Sequence, residues 1–448
     1  MPCFSDPGFS AHPGAPGRSG SRRGLDPSRL LVVEHTLANG LNVRLLPEPG
    51  LPTITYYTFF KVGSRNERPG ITGISHLFEH MMFNGSARFG PKEFDRLLEA
   101  RGGTSNAYTS SDVTAYYEDF DRDALELVVD LESDRMRALT IDDECLKRER
   151  EVVKEERRYR VDNDLGGMMD ELLDATAFVA HSYHWPVVGW MGDLDAITKA
   201  QCIEYFRAYY APNNAVMVLV GDLEPEPTLR LIEEHYHSIP AGPPLPGVVQ
   251  AEPEQHGERY VKIRHAAQAP ALALAYKAVE ARHADAAALD LVQTVLSIGE
   301  GARLSRVLVR KKEVATSALA YFDWRIDPST FKVSLELPPE GDPARALQAL
   351  DEEVVKLQTG PLPAAELERA KNLLRGQTLR ALATHNGKAH ALGEHEVLHG
   401  SWRALFQTLE RYEQVTADDV RAAARRYLVP ERRSVVELVP VGEAVSER

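Results

Sequence analysis

The chain has 448 residues, of which 43% are hydrophobic and 26% are charged, and its formal net charge is −14 at pH 7. This composition is typical of a globular protein of two or three domains. The acidic balance argues against nucleic acid as a partner, and no apolar stretch approaches the ~18 residues of a membrane span. Three scattered cysteines form neither a disulfide framework nor a paired-cysteine zinc site.

The N-terminal segment, residues 1–29, is rich in Gly, Pro, Ser and Arg and lacks the apolar core of a secretory signal. Its prolines and glycines interrupt any amphipathic helix of an organellar targeting peptide. We therefore expect a disordered tail. Together with the few cysteines, this predicts a cytoplasmic protein, with the periplasm or an organelle as alternatives.

A first predicted domain, residues 30–239, mixes short strands with longer helical patterns. Its predicted elements are strands at 31–33, 41–46 and 53–62, a helix over 74–82, a helix closed by Gly102-Gly103, a strand at 107–120, helices at 125–139, 143–160 and 165–178, and a buried strand at 215–220. The proline-rich segment 240–256 predicts an interdomain linker.

A second predicted domain, residues 257–448, repeats this order of elements. Its predicted elements are a strand at 272–276, a helix at 286–296, a strand at 331–337, helices at 343–357 and 364–384, and a strand at 434–439. A faint internal repeat aligns His76, Glu79 and His80 of the first domain with three other residues, Leu291, Thr294 and Val295. The repeat predicts a duplicated α+β domain whose second copy lacks metal-binding residues.

The segment His76-Leu77-Phe78-Glu79-His80 places two histidines four residues apart in a predicted helix. Such residues lie on one helix face, so both imidazoles can bind one tetrahedral Zn²⁺. Glu79 projects to the same side, where it can activate the attacking water without binding the metal. The alternative is a pair of surface or core histidines on an amphipathic helix. The apolar neighbours predict a buried helix whose polar groups need partners, which favours the metal.

A third ligand is expected from a carboxylate, as in most zinc hydrolases. The charged run 147–157 is of a kind that usually forms a solvated helix face. Four of its residues nevertheless have the i, i+3, i+4, i+7 spacing of a buried stripe: Glu149, Val152, Val153 and Glu156. This spacing predicts that both carboxylates point inward, towards a cation, while Glu151 and Glu155 point outward.

The segment Gly73–Ser86 resembles the metal-binding motif of the pitrilysin/insulinase family, which includes the mitochondrial processing peptidase. The resemblance extends from about Leu31 to Val439. Glu156 lies 76 positions after His80, the spacing at which the family places its third ligand. The resemblance therefore implies one Zn²⁺ per chain, bound by His76, His80 and Glu156. It also implies that Glu149 is a supporting acid that orients the site, with Glu155 as the alternative ligand.

The resemblance also implies an α+β fold. Two homologous domains, each an antiparallel sheet packed with helices, would form half of a clamshell. Asn106, Ala107, Tyr108 and Thr109 would form a sheet edge to which a peptide substrate adds as an extra strand. An edge strand without a ligand role is the alternative.

The second half departs from the family pattern. Members that act alone place an Arg and a Tyr there to hold the substrate backbone, where this chain has Val309 and Thr316. In related two-domain pairs, one subunit provides the metal and the other this Arg/Tyr clamp. The resemblance thus predicts a heterodimer with a related subunit. A homodimer, or a monomer that uses Arg303 or Arg310, is the alternative.

The expected function is a zinc-dependent endopeptidase that hydrolyses unfolded peptides. A non-catalytic structural or peptide-binding subunit of the same fold is the alternative, although such subunits usually lose the metal residues that are intact here. A second histidine cluster, formed by His390, His395 and His399, suggests no distant third ligand. We interpret it as helical surface.

Overall fold

The computed structural model describes residues 30–248 and 250–441, so the predicted tail, 1–29, lies outside the described residues. The first half contains one six-stranded sheet. Its strands are β1 (Val33–Thr36), β2 (Asn42–Pro47), β3 (Thr53–Phe60), β4 (Thr104–Thr109), β5 (Thr114–Asp121) and β6 (Ala215–Gly221). Its helices are α1 (Ile74–Met81), α2 (Glu93–Glu99), α3 (Leu125–Ala138), α4 (Asp143–Arg157), α5 (Leu165–Ala177), α6 (Met191–Ala196), α7 (Lys199–Tyr209) and α8 (Pro225–Tyr236).

The second half contains a five-stranded sheet. Its strands are β7 (Arg259–Ala266), β8 (Ala271–Lys277), β9 (Ser317–Phe322), β10 (Thr330–Glu336) and β11 (Arg433–Val441). Its helices are α9 (Ala286–Ser297), α10 (Pro343–Thr359), α11 (Ala364–Ala381), α12 (His385–His399), α13 (Ala404–Gln414) and α14 (Ala417–Tyr427). None of the helices in the described residues is long and apolar enough to cross a bilayer.

The two sheets have the same strand order. The first is ordered β1-β2-β6-β3-β5-β4 and the second β7-β11-β8-β10-β9. Without the extra edge strand β1, each strand of one sheet has a counterpart in the other. In both sheets one corresponding pair is parallel, β2 with β6 and β7 with β11, and the remaining pairs are antiparallel. The predicted α+β fold of two similar domains is confirmed, and the parallel pair in each sheet is an addition to it.

Each sheet is buried on both faces, because the halves exchange helices. Each half packs its own helices on one face of its sheet, as predicted. Helix α12 of the second half covers the other face of the first sheet, and α5 of the first half covers the other face of the second. Gly393 permits this close contact, since a Cβ there would lie 1.9 Å from the ring of Phe59. The exchange brings α5 and α12 each into contact with the sheet of the other half.

The segment predicted as the linker, 240–256, contains neither helix nor strand in its described residues. It is anchored to the first half at Glu252, whose carboxylate accepts hydrogen bonds from the backbone N–H groups of residues 179–181 at 3.0–3.1 Å. The same carboxylate lies 3.1 Å from the ammonium group of Lys277 in the second half. The domain boundaries at 239 and 257 stay predictions.

Candidate metal centre and peptide-binding edge

Helix α1, which carries both histidines, is fixed at its N-terminus. The carboxylate of Glu67 accepts hydrogen bonds from the backbone N–H groups of Gly73 and Ser75, each at 2.8 Å. These bonds satisfy free N–H groups of the first helical turn, and they offset part of the effect of burial, which raises the pKa of Glu67 to about 8. Gly73 has a φ of 86°, and a Cβ there would lie 2.5 Å from the carbonyl oxygen of Val188. The close backbone contact fixes where the helix begins, and so where its histidines point.

The three predicted ligand residues, His76, His80 and Glu156, lie together. One ligand atom of each lies within 4.8 Å of the others, and no second such group of His, Cys, Asp or Glu occurs in residues 30–248 and 250–441. The Nε2 atoms of His76 and His80 lie 3.6 and 3.2 Å from the same Glu156 oxygen, Oε2. Two ligands at tetrahedral zinc, each about 2.0–2.1 Å from the metal, are about 3.3 Å apart. The donor set therefore fits Zn²⁺.

The surroundings of these groups set their protonation. Burial lowers the pKa of His76 to about 4, and the neighbouring His80 adds to the effect. Burial would lower the pKa of His80, but the hydrogen bond with Glu156 and the charges of Glu156, Glu79 and Glu149 together outweigh burial and raise it. The same hydrogen bond lowers the pKa of Glu156. Because zinc binds neutral imidazole and ionised carboxylate, His76 and Glu156 have the protonation that coordination requires.

The predicted inward stripe of α4 is correct for its acids and wrong for one valine. Glu149 is buried, and its Oε2 lies 3.9 Å from Nδ1 of His80. Val153 is fully buried, whereas Val152 is 44% exposed. At about 100° per residue, Val152 lies about 60° from Glu149, at the margin of the buried face. Glu155, the alternative ligand, points to solvent and pairs with Arg158.

Arg160 is a neighbour of the site that the sequence prediction omits. Its Nη1 lies 3.0 Å from Oε1 of Glu156, the oxygen that does not face the histidines. The chain continues after α4 as a π-helical turn, Arg158–Asp162, which carries this arginine. The sequence signal for the contact is the i,i+4 spacing of the two residues.

Glu79 lies beside the ligands and contacts the edge strand. Its Oε2 accepts a hydrogen bond from the Thr109 hydroxyl at 2.6 Å. Burial raises the pKa of Glu79, and the hydrogen bond from Thr109 offsets part of that rise. The carboxyl group therefore has the two properties of a general base near neutral pH: a raised pKa and a fixed position.

Strand β4 is the outer strand of its sheet and, among the described residues, pairs only with β5. The N–H of Ser110 donates to the carbonyl of Val113 at 2.8 Å. Since alternate residues of an antiparallel pair exchange hydrogen bonds, the backbone groups of Ala107 and Thr109 point to the free edge. The N–H of Ala107 donates a hydrogen bond to the side-chain oxygen of Asn106 at 2.8 Å. This edge therefore offers backbone groups to an added strand.

Tyr108 points the other way, towards the helix contributed by the second half. Its hydroxyl lies 3.2 Å from Nε2 of His390 on α12. The rings of His395 and His399 lie 6.0 and 5.5 Å from that of Trp324. All three histidines are partly buried, because α12 packs between the halves.

A cavity of about 650 Å³ joins these features. It is lined by His76, Glu79 and Glu156, and by the four edge residues 106–109. The opposite wall includes Asp170 and Asp174 of α5 and Lys332 of β10, whose ammonium group lies 2.7 Å from Asp174. The sequence prediction omits this wall, because no local pattern relates β10 to α5.

The positions predicted to lack an Arg/Tyr clamp, Val309 and Thr316, do not line this cavity. Val309 packs against the core of the second half, and Thr316 is exposed. Arg303 forms a two-pronged ion pair with Glu366 at 2.8 and 2.9 Å. Arg310 lies at the surface, where its Nη2 contacts Oε2 of Glu300 at 2.6 Å. None of these four positions lines the cavity.

Comparison with known proteins gives consistent relatives for most of the chain. Residues 48–189 match the family model described as insulinase (peptidase family M16), and residues 196–374 match the model described as peptidase M16 inactive domain. The zinc protease PqqE of Helicobacter pylori is 30% identical over 413 residues, which cover 90% of this chain and 92% of that protein. The mitochondrial-processing peptidase subunit beta of Lentinula edodes is 26% identical, covering 88% of this chain and 86% of that protein.

A solved structure gives the same result for the fold. The crystal structure of a protease from Helicobacter pylori superposes with a TM-score of 0.88 at 29% identity. The match covers 92% of this chain and 100% of that one. The similarity therefore includes both halves and not the metal-bearing half alone.

Proposed function

The chain belongs to the insulinase family of peptidases, family M16, and from that membership we propose that it is the metal-bearing subunit of a zinc-dependent endopeptidase that hydrolyses unfolded peptides. The observation that carries the proposal is the cluster of His76, His80 and Glu156, whose spacing fits tetrahedral zinc. The cluster opens into a cavity that also contains a free strand edge. A peptidase needs both features, because the metal alone does not hold a peptide.

The chemistry is divided between a bound metal and the residues around it. Zinc at this site would polarise the scissile carbonyl and lower the pKa of water. Glu79 accepts the proton of the attacking water and delivers it to the leaving amine nitrogen. Glu149 lies next to the outer nitrogen of His80 and orients its ring. Arg160 holds the second oxygen of Glu156 and leaves the first to face the histidines.

The substrate is a peptide in extended conformation. It adds to β4 as an antiparallel strand, and the backbone groups of Ala107 and Thr109 pair with it. Asn106 must release the N–H of Ala107 for this pairing to form. A folded protein cannot present an isolated strand inside a cavity of about 650 Å³, so the proposed specificity is for unfolded chains.

A related second subunit would complete the enzyme. The proposal rests on Val309 and Thr316, which replace the expected clamp, and on Arg303 and Arg310, which are engaged in ion pairs away from the cavity. Loose positioning of a substrate costs about 10²-fold in rate. We expect the heterodimer to be the competent form, and the few cysteines of the sequence favour the cytoplasm as its location.

The proposal is tested with a quenched peptide substrate, using the chain alone and the chain with a co-expressed relative that carries the Arg/Tyr clamp. We expect the relative to raise turnover about 10²-fold. Glu79→Gln, which keeps the shape but cannot accept the proton, should retain zinc and lose hydrolysis in both samples.

Three results would contradict different parts of the proposal. Substantial hydrolysis by zinc-loaded Glu79→Gln would exclude Glu79 as the base. Full activity of the isolated chain, unchanged by the relative, would exclude the partner. Peptide binding without hydrolysis in every sample would favour the non-catalytic alternative.

A further inference from the structure

Thr109 joins two parts of the site, the edge strand and the carboxylate of Glu79. Its hydroxyl donates to Oε2 of Glu79 at 2.6 Å, while its backbone faces the free edge of β4. A hydrogen bond to a carboxylate at this distance is of the strong, charge-assisted kind. The hydrogen bond therefore links the strand that would bind the peptide with the carboxylate that would act as the base.

The rest of the surroundings leaves Glu79 dependent on this contact. A glutamate side chain has three rotatable bonds, and Oε1 of Glu79 forms no hydrogen bond with the residues that the structure describes. Thr109 is β-branched and lies in a strand, so the direction of its hydroxyl is restricted. Ala107, which is two residues earlier on the same face of β4, offers only a methyl group. Thr109 is the one side chain of this strand that holds the carboxylate.

We propose that Thr109 is a positioning residue, whose side chain fixes the Glu79 carboxylate relative to the strand that receives the peptide. The inference rests on the proposed peptidase function and adds a role to a residue otherwise assigned only to substrate binding. Because the hydroxyl holds Oε2, Oε1 stays free to face the attacking water. A peptide paired with the backbone of Thr109 is thereby in register with the base.

Three variants test the role of the hydroxyl in the complete enzyme, saturated with zinc. Thr109→Val keeps the branched shape and removes the donor, whereas Thr109→Ser keeps the donor. Ser105→Ala is the matched control, because Ser105 lies on the same face of β4 and its hydroxyl binds a different carboxylate, Asp95, at 2.8 Å. Zinc content and thermal midpoint are measured for each variant, and kcat and KM are measured with a peptide.

We expect Thr109→Val to lower kcat about tenfold or more while KM changes less than about twofold, since misplacing a catalytic group slows the reaction without weakening binding. Thr109→Ser should restore most of kcat, and Ser105→Ala should match wild type. All variants should retain zinc. Binding of the same peptide by Glu79→Gln and by Glu79→Gln/Thr109→Val should be equal, because the backbone edge is unchanged.

The inference is overturned if Thr109→Val keeps the wild-type kcat, if its effect is confined to KM, or if Thr109→Ser fails to restore the loss. Should the valine variant not fold, Thr109→Ala replaces it with the same expectation. A Glu79→Gln enzyme that still hydrolyses peptide would instead contradict the proposed function, so the two failures are distinguishable.

Discussion

Helices α1 and α9 occupy matching places in the two halves, yet their environments are opposite. Helix α1 connects β3 to β4 along the chain, and α9 lies between the corresponding strands β8 and β9. In α1, His76 and Glu79 line a cavity, and His80 contacts Glu156 beside it. In α9, the aligned residues Leu291, Thr294 and Val295 are fully buried. The same helix position therefore supports either a metal site or a sealed core, depending on three side chains.

The polar residues that α9 retains show what a sealed position requires. Asp290, aligned with Ser75 of α1, is buried and accepts hydrogen bonds from Trp324 at 2.9 Å and from Tyr412 at 2.8 Å. Such a carboxyl is tolerated only because both oxygens have partners. In α1, Glu156 contacts His80 and Thr109 contacts Glu79, whereas Nδ1 of His76 is buried without a hydrogen-bond partner among the described residues.

Giving α1 the residues of α9 tests most directly whether these three side chains determine the metal site. The triple substitution His76→Leu, Glu79→Thr, His80→Val should abolish zinc binding and lower kcat/KM on the order of 10³-fold or more, because the metal and the base are both removed. The fold should persist, since the second half carries these residues in the same fold. Metal analysis, peptide hydrolysis and circular dichroism measure the three outcomes.

The single variant Glu79→Thr is the control for the triple substitution, and it should retain zinc. Unfolding of the triple variant would mean that the metal residues are also needed for the fold. Zinc retained by the triple variant would mean that the metal binds outside α1.

A smaller effect is expected from the carboxyl group of α9. Burial raises the pKa of Asp290 to about 7. Below about pH 4 this carboxyl group is protonated in both the folded and the unfolded chain. Above about pH 4 the unfolded chain loses the proton first. The free energy of unfolding therefore falls as the pH rises to about 7. As the pH rises from 6 to 8, the contribution of this group to the free energy of unfolding should fall by about 1.4 kcal/mol.

Asp290→Asn should remove that part of the pH dependence, because the amide does not titrate. Urea unfolding at pH 6 and pH 8 measures it, with Glu340→Gln, at an exposed position, as the control. An unchanged difference between the two pH values in Asp290→Asn would show that Asp290 does not titrate in this range.

The local features of this molecule follow from its sequence. Helical periodicity gives the shared face of His76 and His80, and the spacing within α4 gives the inward direction of Glu149 and Glu156. The prediction fails at Val152 because a residue at the margin of the buried helix face has the same spacing as a residue at its centre. The internal repeat also anticipates the buried residues of α9.

The contacts between the halves do not follow from local patterns. Helix α12 covers the sheet of the other half, which is why its histidines are partly buried and why His390 contacts Tyr108. Lys332 reaches the cavity from a strand far along the chain. The hydrogen bond between Thr109 and Glu79 depends on how β4 lies against α1, and periodicity within either element does not specify that distance.

Zinc content per chain is the most direct measurement of the claim that the first half alone binds metal. Elemental analysis of the purified protein should give one zinc per chain in wild type and in Glu79→Gln, and almost none in His80→Ala, because loss of one imidazole leaves two protein ligands. Zinc near zero in wild type, or undiminished in His80→Ala, would contradict the assignment of the metal to His76, His80 and Glu156.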